Sequence, residues 1–191
     1  ASVALLIASN EIISALFGYG QFTESSVSNS AKALYYFSLG LPAFAMIKVF
    51  SNFFFANHDT KTPFYISLLS VILNICISIY YFRSIGFIII PIATTISSWF
   101  NLIILFLFLK KRNLFSFNKI FISRFFKILL SSILMGYFFN YLMILFNDQL
   151  SFENAFKSIY LILSVFFGLI FYLLMAYLIK AFKLEDIKLK Y

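Results

Sequence analysis

The chain has 191 residues, 62% of them hydrophobic and only 12% charged, with a net charge of +8 and a mean hydropathy of +0.96. Soluble domains are typically about half apolar and about a quarter charged. So much apolar surface cannot be hidden in one small core, which argues against an ordinary soluble domain and makes lipid the expected solvent. The cations stand between apolar runs rather than in a stripe interleaved with aromatics, so no nucleic acid is expected as a partner. The single Cys76 cannot form an intrachain disulfide and is expected as a buried, inert thiol.

A membrane span needs about 20 mostly apolar residues. The hydrophobic runs predict an all-α, polytopic membrane helix bundle of about six transmembrane helices. The chain opens inside an apolar run, without the basic n-region and cleavage site of a signal peptide. It therefore reads as the C-terminal part of a longer protein, with Val3 to Phe17 as the truncated first helix. Gly18 to Ser26, with two glycines and several polar residues, breaks it. A second helix is expected from about Ser28 to Ala56, kinked near Gly40-Leu41 by Pro42. The third is expected from Pro63, with Thr62 as N-cap, to about Phe82. Arg83 to Gly86 reads as a tight turn. The fourth is expected from about Phe87 to Leu109, the fifth from Ile122 to Phe146, and the sixth from Glu153 to Phe182 before a charged tail. Residues 1–112 and 113–191 are expected as two parts, four helices and two.

Loop charges orient the chain. Lys61, then Lys110, Lys111, Arg112, Lys119 and Arg124, then Lys180, Lys183, Lys188 and Lys190 fall on one side. The opposite loops hold Lys32, Arg83 and Lys157 beside Glu24, Asp148 and Glu153. The positive-inside rule puts the Asp59 loop, the Lys110 loop and the C-terminus in the cytoplasm.

Few polar residues enter the spans. Ser67, Ser70, Asn74 and Ser78 share one face of the third helix, and Thr94, Ser97, Ser98 and Asn101 one face of the fourth, with Thr95 off that stripe. Two readings stand side by side. Small polar residues let membrane helices pack closely; hydroxyl and amide oxygens also suit a cavity wall or a hard cation. Lys48 lies inside a span, where a charge costs roughly 2.5–3.5 kcal/mol on insertion scales. Helical side chains lean toward the N-terminus, which here points Lys48 away from the nearer, cytoplasmic surface. It lines a wet cavity together with Asn52, one turn on, or else it snorkels or makes a structural bond. Asp59-Thr60-Lys61-Thr62-Pro63 form a cytoplasmic loop with a helix cap. His58 has no ligand cluster around it. No phosphate-cradling Gly loop, nucleophile elbow or HExxH helix is present, so no enzymatic activity is expected.

Leu34 to Pro42, Lys48-Val49, Phe54-Phe55-Ala56 and Asp59 to Pro63 together resemble the MurJ (MviN-type) lipid II flippases of the multidrug/oligosaccharidyl-lipid/polysaccharide exporter superfamily. Tyr19 to Thr23 and Ser97 to Asn101 fit the same pattern, and the resemblance covers roughly residues 1–112. It implies part of the second lobe of a two-lobed transporter in a bacterial plasma (inner) membrane, followed by two additional helices that form a groove for an undecaprenyl tail. The implied activity moves lipid-linked peptidoglycan precursor from the inner to the outer leaflet by alternating access. The implied partners are that precursor, membrane lipid, the N-terminal remainder of the protein and cell-wall synthesis proteins. The implied driving force is a sodium ion or the membrane potential, and no other cofactor is expected. In members with a sodium site, Asn74 and Thr94 would match it, and Ser78 stands where an acidic ligand would help. The alternatives are an exporter of another polyprenyl-linked saccharide and a non-transporting scaffold for cell-wall synthesis.

Overall fold

The structure is a computed structural model and describes residues 1–112 and 119–181. The expected basic loop over 113–118, the helix end at Phe182 and the tail cations Lys183, Lys188 and Lys190 lie outside the described residues. Seven helices are described: α1 (Ser2–Ile7), α2 (Ser9–Phe17), α3 (Glu24–Ala56), α4 (Lys61–Ile85), α5 (Ile89–Lys111), α6 (Lys119–Leu145) and α7 (Lys157–Leu178). Four stretches, the longest covering Lys61–Lys111, are long and apolar enough to cross a membrane. That longest stretch is two helices, broken at Gly86, whose φ is +75°, and at a 3-10 turn over Gly86–Ile88.

Among the described residues the chain divides into two units, one of residues 1, 3–27 and 119–181, the other of residues 2 and 28–112. The expected division put all of 1–112 together. Instead α1 and α2 pack with α6 and α7, around Ala8, Ala15, Met135, Phe139, Met143, Leu150 and Leu161. α6 and α7 are antiparallel: Phe138 stacks on Phe171 with centroids 4.3 Å apart, and Phe146 meets Tyr160 at 5.6 Å. Close approach needs glycine at two points. A Cβ on Gly168 would lie 3.1 Å from the Phe139 ring, and one on Gly136 would lie 2.7 Å from Val3 Cγ1.

The second unit packs α3 against the α4–α5 hairpin through Ala43, Phe50, Phe54, Ile66, Leu102, Leu105 and Leu109. At 33 residues, α3 is about 50 Å long at 1.5 Å per residue. A core of about 30 Å is spanned by such a helix only if it tilts or projects. The outer faces are apolar and bare: Ile79 is 73% exposed on α4 and Ile162 66% on α7. Cys76, expected to be buried, is exposed on this same face of α4.

Helix ends are set by polar contacts that apolar periodicity does not register. α3 starts four residues earlier than expected because Thr23 Oγ1 accepts the Ser26 N–H at 3.3 Å and so caps it. Its far end closes with the Asp59 N–H donating to Phe54 O and the His58 N–H to Phe55 O, both at 3.0 Å. His58 takes the left-handed position, φ +58°, usually filled by glycine in this double turn. α4 begins at Lys61, with Thr60 in the N-cap position. Thr62, expected as the cap, instead donates its N–H to Asp59 Oδ1 at 3.0 Å and its hydroxyl to Asp59 Oδ2 at 2.6 Å. α7 begins at Lys157, not Glu153, and α1 and α2 part at Ala8, whose φ of −113° and ψ of 31° leave the helical region.

Gly136→Leu should drive α1 off α6, because even one Cβ meets Val3 and Ile7 inside van der Waals contact. Overpacking of this kind costs about 1–3 kcal/mol. The thermal midpoint of the purified protein in lipid nanodiscs should fall accordingly; an unchanged midpoint would contradict the packing of α1 on α6.

Candidate functional site

Two of the predicted polar stripes meet. Asn74 Nδ2 donates to Thr94 Oγ1 at 3.0 Å and to Ser97 Oγ at 3.3 Å, and Asn74 Oδ1 accepts from Ser78 at 3.4 Å. Asn101 Nδ2 reaches Ser67 Oγ at 3.4 Å two turns away, in the same antiparallel register. Asn74, Ser78 and Thr94 are thus brought together as neutral groups bonded to one another, with the amide N–H turned to the α5 hydroxyls and its oxygen to Ser78. A cation held here would need the Asn74 amide rotated by half a turn, to present Oδ1 beside Thr94 Oγ1. No group of three or more His, Cys, Asp or Glu is placed to hold a metal ion among the described residues.

The second stripe proves to be two. Thr95 and Ser98 face α3 rather than α4, and a Cβ on Gly40 would lie 3.1 Å from Thr95 Oγ1 and 3.4 Å from Ser98 Oγ. Thr95 donates to Tyr36 O at 2.7 Å and Trp99 Nε1 to Leu39 O at 3.1 Å. These carbonyls flank Ser38, whose own carbonyl is the one that Pro42 leaves without its backbone N–H. α3 continues as helix through Pro42, with α5 donating to the carbonyls on either side.

At one end of this unit, Asp59 takes both Thr62 donors and also accepts from Arg112 Nη1, while Arg112 Nη2 reaches Thr62 Oγ1 at 3.1 Å. The Arg112 guanidinium lies 5.8 Å from the Phe54 ring centre. Three elements are tied: the end of α3, the start of α4 and the end of α5. The hydroxyl and N–H of Thr62, helped by Arg112, lower the Asp59 carboxyl from 3.8 to about 2. Arg112 had entered the sequence reading only as a topology charge. Thr60 and Lys61 are exposed and Pro63 is buried in the first turn of α4. Lys48 and Asn52 share a face of α3 and are both exposed on this chain.

The sequence reading counted Lys157 as an outer loop charge. It is 1% exposed. Its Nζ donates to Gly18 O at 2.7 Å and Phe152 O at 2.8 Å, and lies 4.5 Å from the ring centres of Tyr19 and Phe152. Ser158 Oγ adds a bond to Ala15 O at 2.6 Å. The free carbonyls at the C-terminus of α2 are therefore met by the first two residues of α7, a cation where the helix dipole favours one. The signal available in the sequence was Lys157 followed by Ser158 at the head of an apolar run, with glycine and aromatic residues at 18 and 19.

Between α1, α6 and α7 lies a groove of about 380 Å³. Ala4, Met135, Phe139, Val165, Gly168 and Leu169 line it, with Ser132 and Tyr172 as its polar members. Its size is at the lower end of small-molecule sites, and its walls offer an apolar chain contact rather than directional bonds.

Long apolar helices joined by a few internal hydrogen bonds define the class of polytopic helical membrane proteins. Residues 1–161 match the family described as Lipid II flippase MurJ, and the chain belongs to that family. It is 36% identical over 113 residues to the "Probable lipid II flippase MurJ" of Rickettsia prowazekii, covering 59% of this chain and 22% of that protein. The protein of the same description from Thermotoga maritima is 36% identical over 135 residues, covering 71% of this chain and 27% of its own length. A solved structure, "Lipid II flippase MurJ, inward closed conformation", superposes with a TM-score of 0.74 at 23% identity, over 94% of this chain and 35% of that one. The chain thus spans about a quarter of these curated relatives.

Two predictions follow from the polar contacts. Asp59 titrates lower in the folded protein than in the free chain, so its contribution to stability is complete above about pH 4 and is lost as pH falls through about 2. The difference in thermal midpoint between wild type and Asp59→Asn should therefore be constant from pH 7 to 5 and shrink toward zero by pH 2; a difference that does not change with pH would refute it. Lys157→Met leaves the Gly18 and Phe152 carbonyls unpaired, at about 1–3 kcal/mol for each buried group. It should lower the midpoint and open residues 18–23 to proteolysis, whereas Lys48→Met, at an exposed position, should do neither.

Proposed function

We propose that the whole protein is a lipid II flippase, and not an enzyme, which carries lipid-linked peptidoglycan precursor from the inner to the outer leaflet of a bacterial inner membrane by alternating access. Membership of the flippase family over residues 1–161 carries this reading, and the relatives' shared description supports it. In it, the groove between α1, α6 and α7 takes the polyprenyl tail. The hairpin of α4 and α5 is a rigid wall of the translocation lobe, knotted at its cytoplasmic end by Asp59, Thr62 and Arg112. Lys48, exposed on α3, faces the anionic headgroup path with Asn52. The C-terminus lies in the cytoplasm, as the loop cations indicate. The driving force is the membrane potential or a sodium ion, the latter bound at Asn74 and Thr94 once the amide has turned.

The test is made on the full-length protein, in cells depleted of their own flippase and in proteoliposomes. Val165 lines the groove and is 45% exposed, so Val165→Trp fills the groove without disturbing the core. It should cut precursor translocation at least tenfold at normal expression, while Val71→Trp, at a 54% exposed site on α4, should leave it intact. Sodium replacement and collapse of the potential separate the two driving forces. Full complementation by Val165→Trp would remove the groove from the path; failure of the unaltered protein to complement would remove the flippase reading.

A further inference from the structure

A second pocket lies within the first unit, at the end of α6 away from the basic loop. It has a volume of about 310 Å³ between α2, the first turn of α3 and the segment joining α6 to α7. Its chemistry is the opposite of the groove's. Glu11, Glu24 and Asp148 line it, with Asn10, Asn147 and Ser14, and no basic side chain is among its lining residues.

Acidic side chains alone would mean little, but two of these groups are buried without a partner. Ser14 is 4% exposed and its hydroxyl makes no hydrogen bond; Glu11 Oε2 is fully buried and also unpaired. They stand three residues apart, so they share a face of α2. A buried oxygen without a partner costs about 1–3 kcal/mol, more if it is charged, and native structures rarely leave one so. Both atoms line the pocket and both can accept. The missing partner is a donor that enters it.

The size of the space says what kind. At ~30 Å³ per water the pocket would hold about ten waters, and its carboxylates are not gathered as a metal cluster. Bare calcium needs 6–8 oxygens at 2.3–2.6 Å, which this spread does not offer. An alkylammonium group has three N–H donors and a full positive charge. Such donors match the acceptors Glu11 Oε2 and Ser14 Oγ, and the carboxylates of Glu24 and Asp148, which also line the pocket, offer a place for a second charge.

We propose that this pocket binds an organic ammonium ligand, a diamine or polyamine, on Glu11, Ser14 and Asp148. The site is separate from the tail groove and does not depend on the flippase reading. On the orientation set by the loop cations it opens on the outer side of the membrane, so it samples amines outside the cell.

The probe is spermidine, titrated against the full-length protein in nanodiscs of neutral lipid at 0.15 M salt, where diffuse attraction between exposed charges is screened beyond about 8 Å. A saturable rise in thermal midpoint is expected. Glu11→Gln and Asp148→Asn, which keep shape and remove charge, should each weaken apparent affinity at least tenfold, and Ser14→Ala severalfold. Glu153→Gln, an exposed acid in the same segment outside the pocket, should leave it unchanged. If Glu11→Gln does not fold, Ser14→Ala carries the test, since that hydroxyl supports no other contact. No saturable response, an equal loss in Glu153→Gln, or an equal response to magnesium removed by the same variants would each overturn the proposal. So would a Lys or Arg from elsewhere in the full-length protein seated on Glu11. None of these outcomes bears on precursor translocation.

Discussion

A bilayer offers no hydrogen bonds, so every polar atom carried into it must be met by another part of the chain. That constraint explains more of this structure than apolar packing does. Lipid is as apolar as leucine, so burying leucine between helices gains little there, and close packing and internal hydrogen bonds decide which helices adjoin. α4 and α5 are joined by Asn74 with Thr94 and Ser97, and by Asn101 with Ser67. α3 and α5 are joined by Thr95 on Tyr36 O and Trp99 on Leu39 O. α2 and α7 are joined where α2 runs out of its own donors, by Lys157 and Ser158. In each case a polar group on one helix meets a hydrogen-bonding partner on the other.

The same rule separates what the sequence made legible from what it did not. Apolar runs located every long helix, because a span is a matter of length and composition. The ends were displaced wherever a polar side chain set them. Thr23 starts α3 early, and Asp59 rather than Thr62 fixes the entry to α4, since a carboxylate just outside a helix takes an N–H and a hydroxyl at once. The resemblance singled out Asp59 to Pro63 as a motif without giving its partner, and Arg112, 53 residues on, could not be paired with it by spacing. Asn74, Ser78 and Thr94 were legible as a cluster because helical periodicity places them so. Thr95 and Ser98 were not, because one polar stripe on α5 turned out to face two neighbours. Lys157 was misplaced for a related reason. A lysine before an apolar run reads as a loop charge, and only the fold shows the two carbonyls and two rings that enclose it.

His58 shows how a sequence can mislead in the other direction. As the only histidine in the chain it invites a chemical role, yet its backbone at φ +58° gives it a structural one. It turns the chain at the end of α3 so that Asp59, the next residue, arrives where Thr62 and Arg112 converge. A non-glycine residue in that region is disfavoured, and the bonds from His58 and Asp59 back to Phe55 and Phe54 offset the cost.

The two units divide the labour proposed for them in a way that their chemistry already dictates. A polyprenyl tail carries no directional groups, and moving it from lipid into an apolar groove changes its surroundings little. In the proposed function, the groove between α1, α6 and α7 would position a tail by shape. Beside it, glycine at 168 admits the Phe139 ring and glycine at 136 admits Val3, so the helices around the groove approach closely. In the proposed function, selection among lipids comes from a charged headgroup, and Lys48, exposed deep within α3, is the cation this chain offers to it. One lysine cannot neutralise a pyrophosphate or give it the bidentate grip that arginine gives. Under the proposed function, Lys48 would therefore share the headgroup with further cations, while these helices guide the tail and brace a wall.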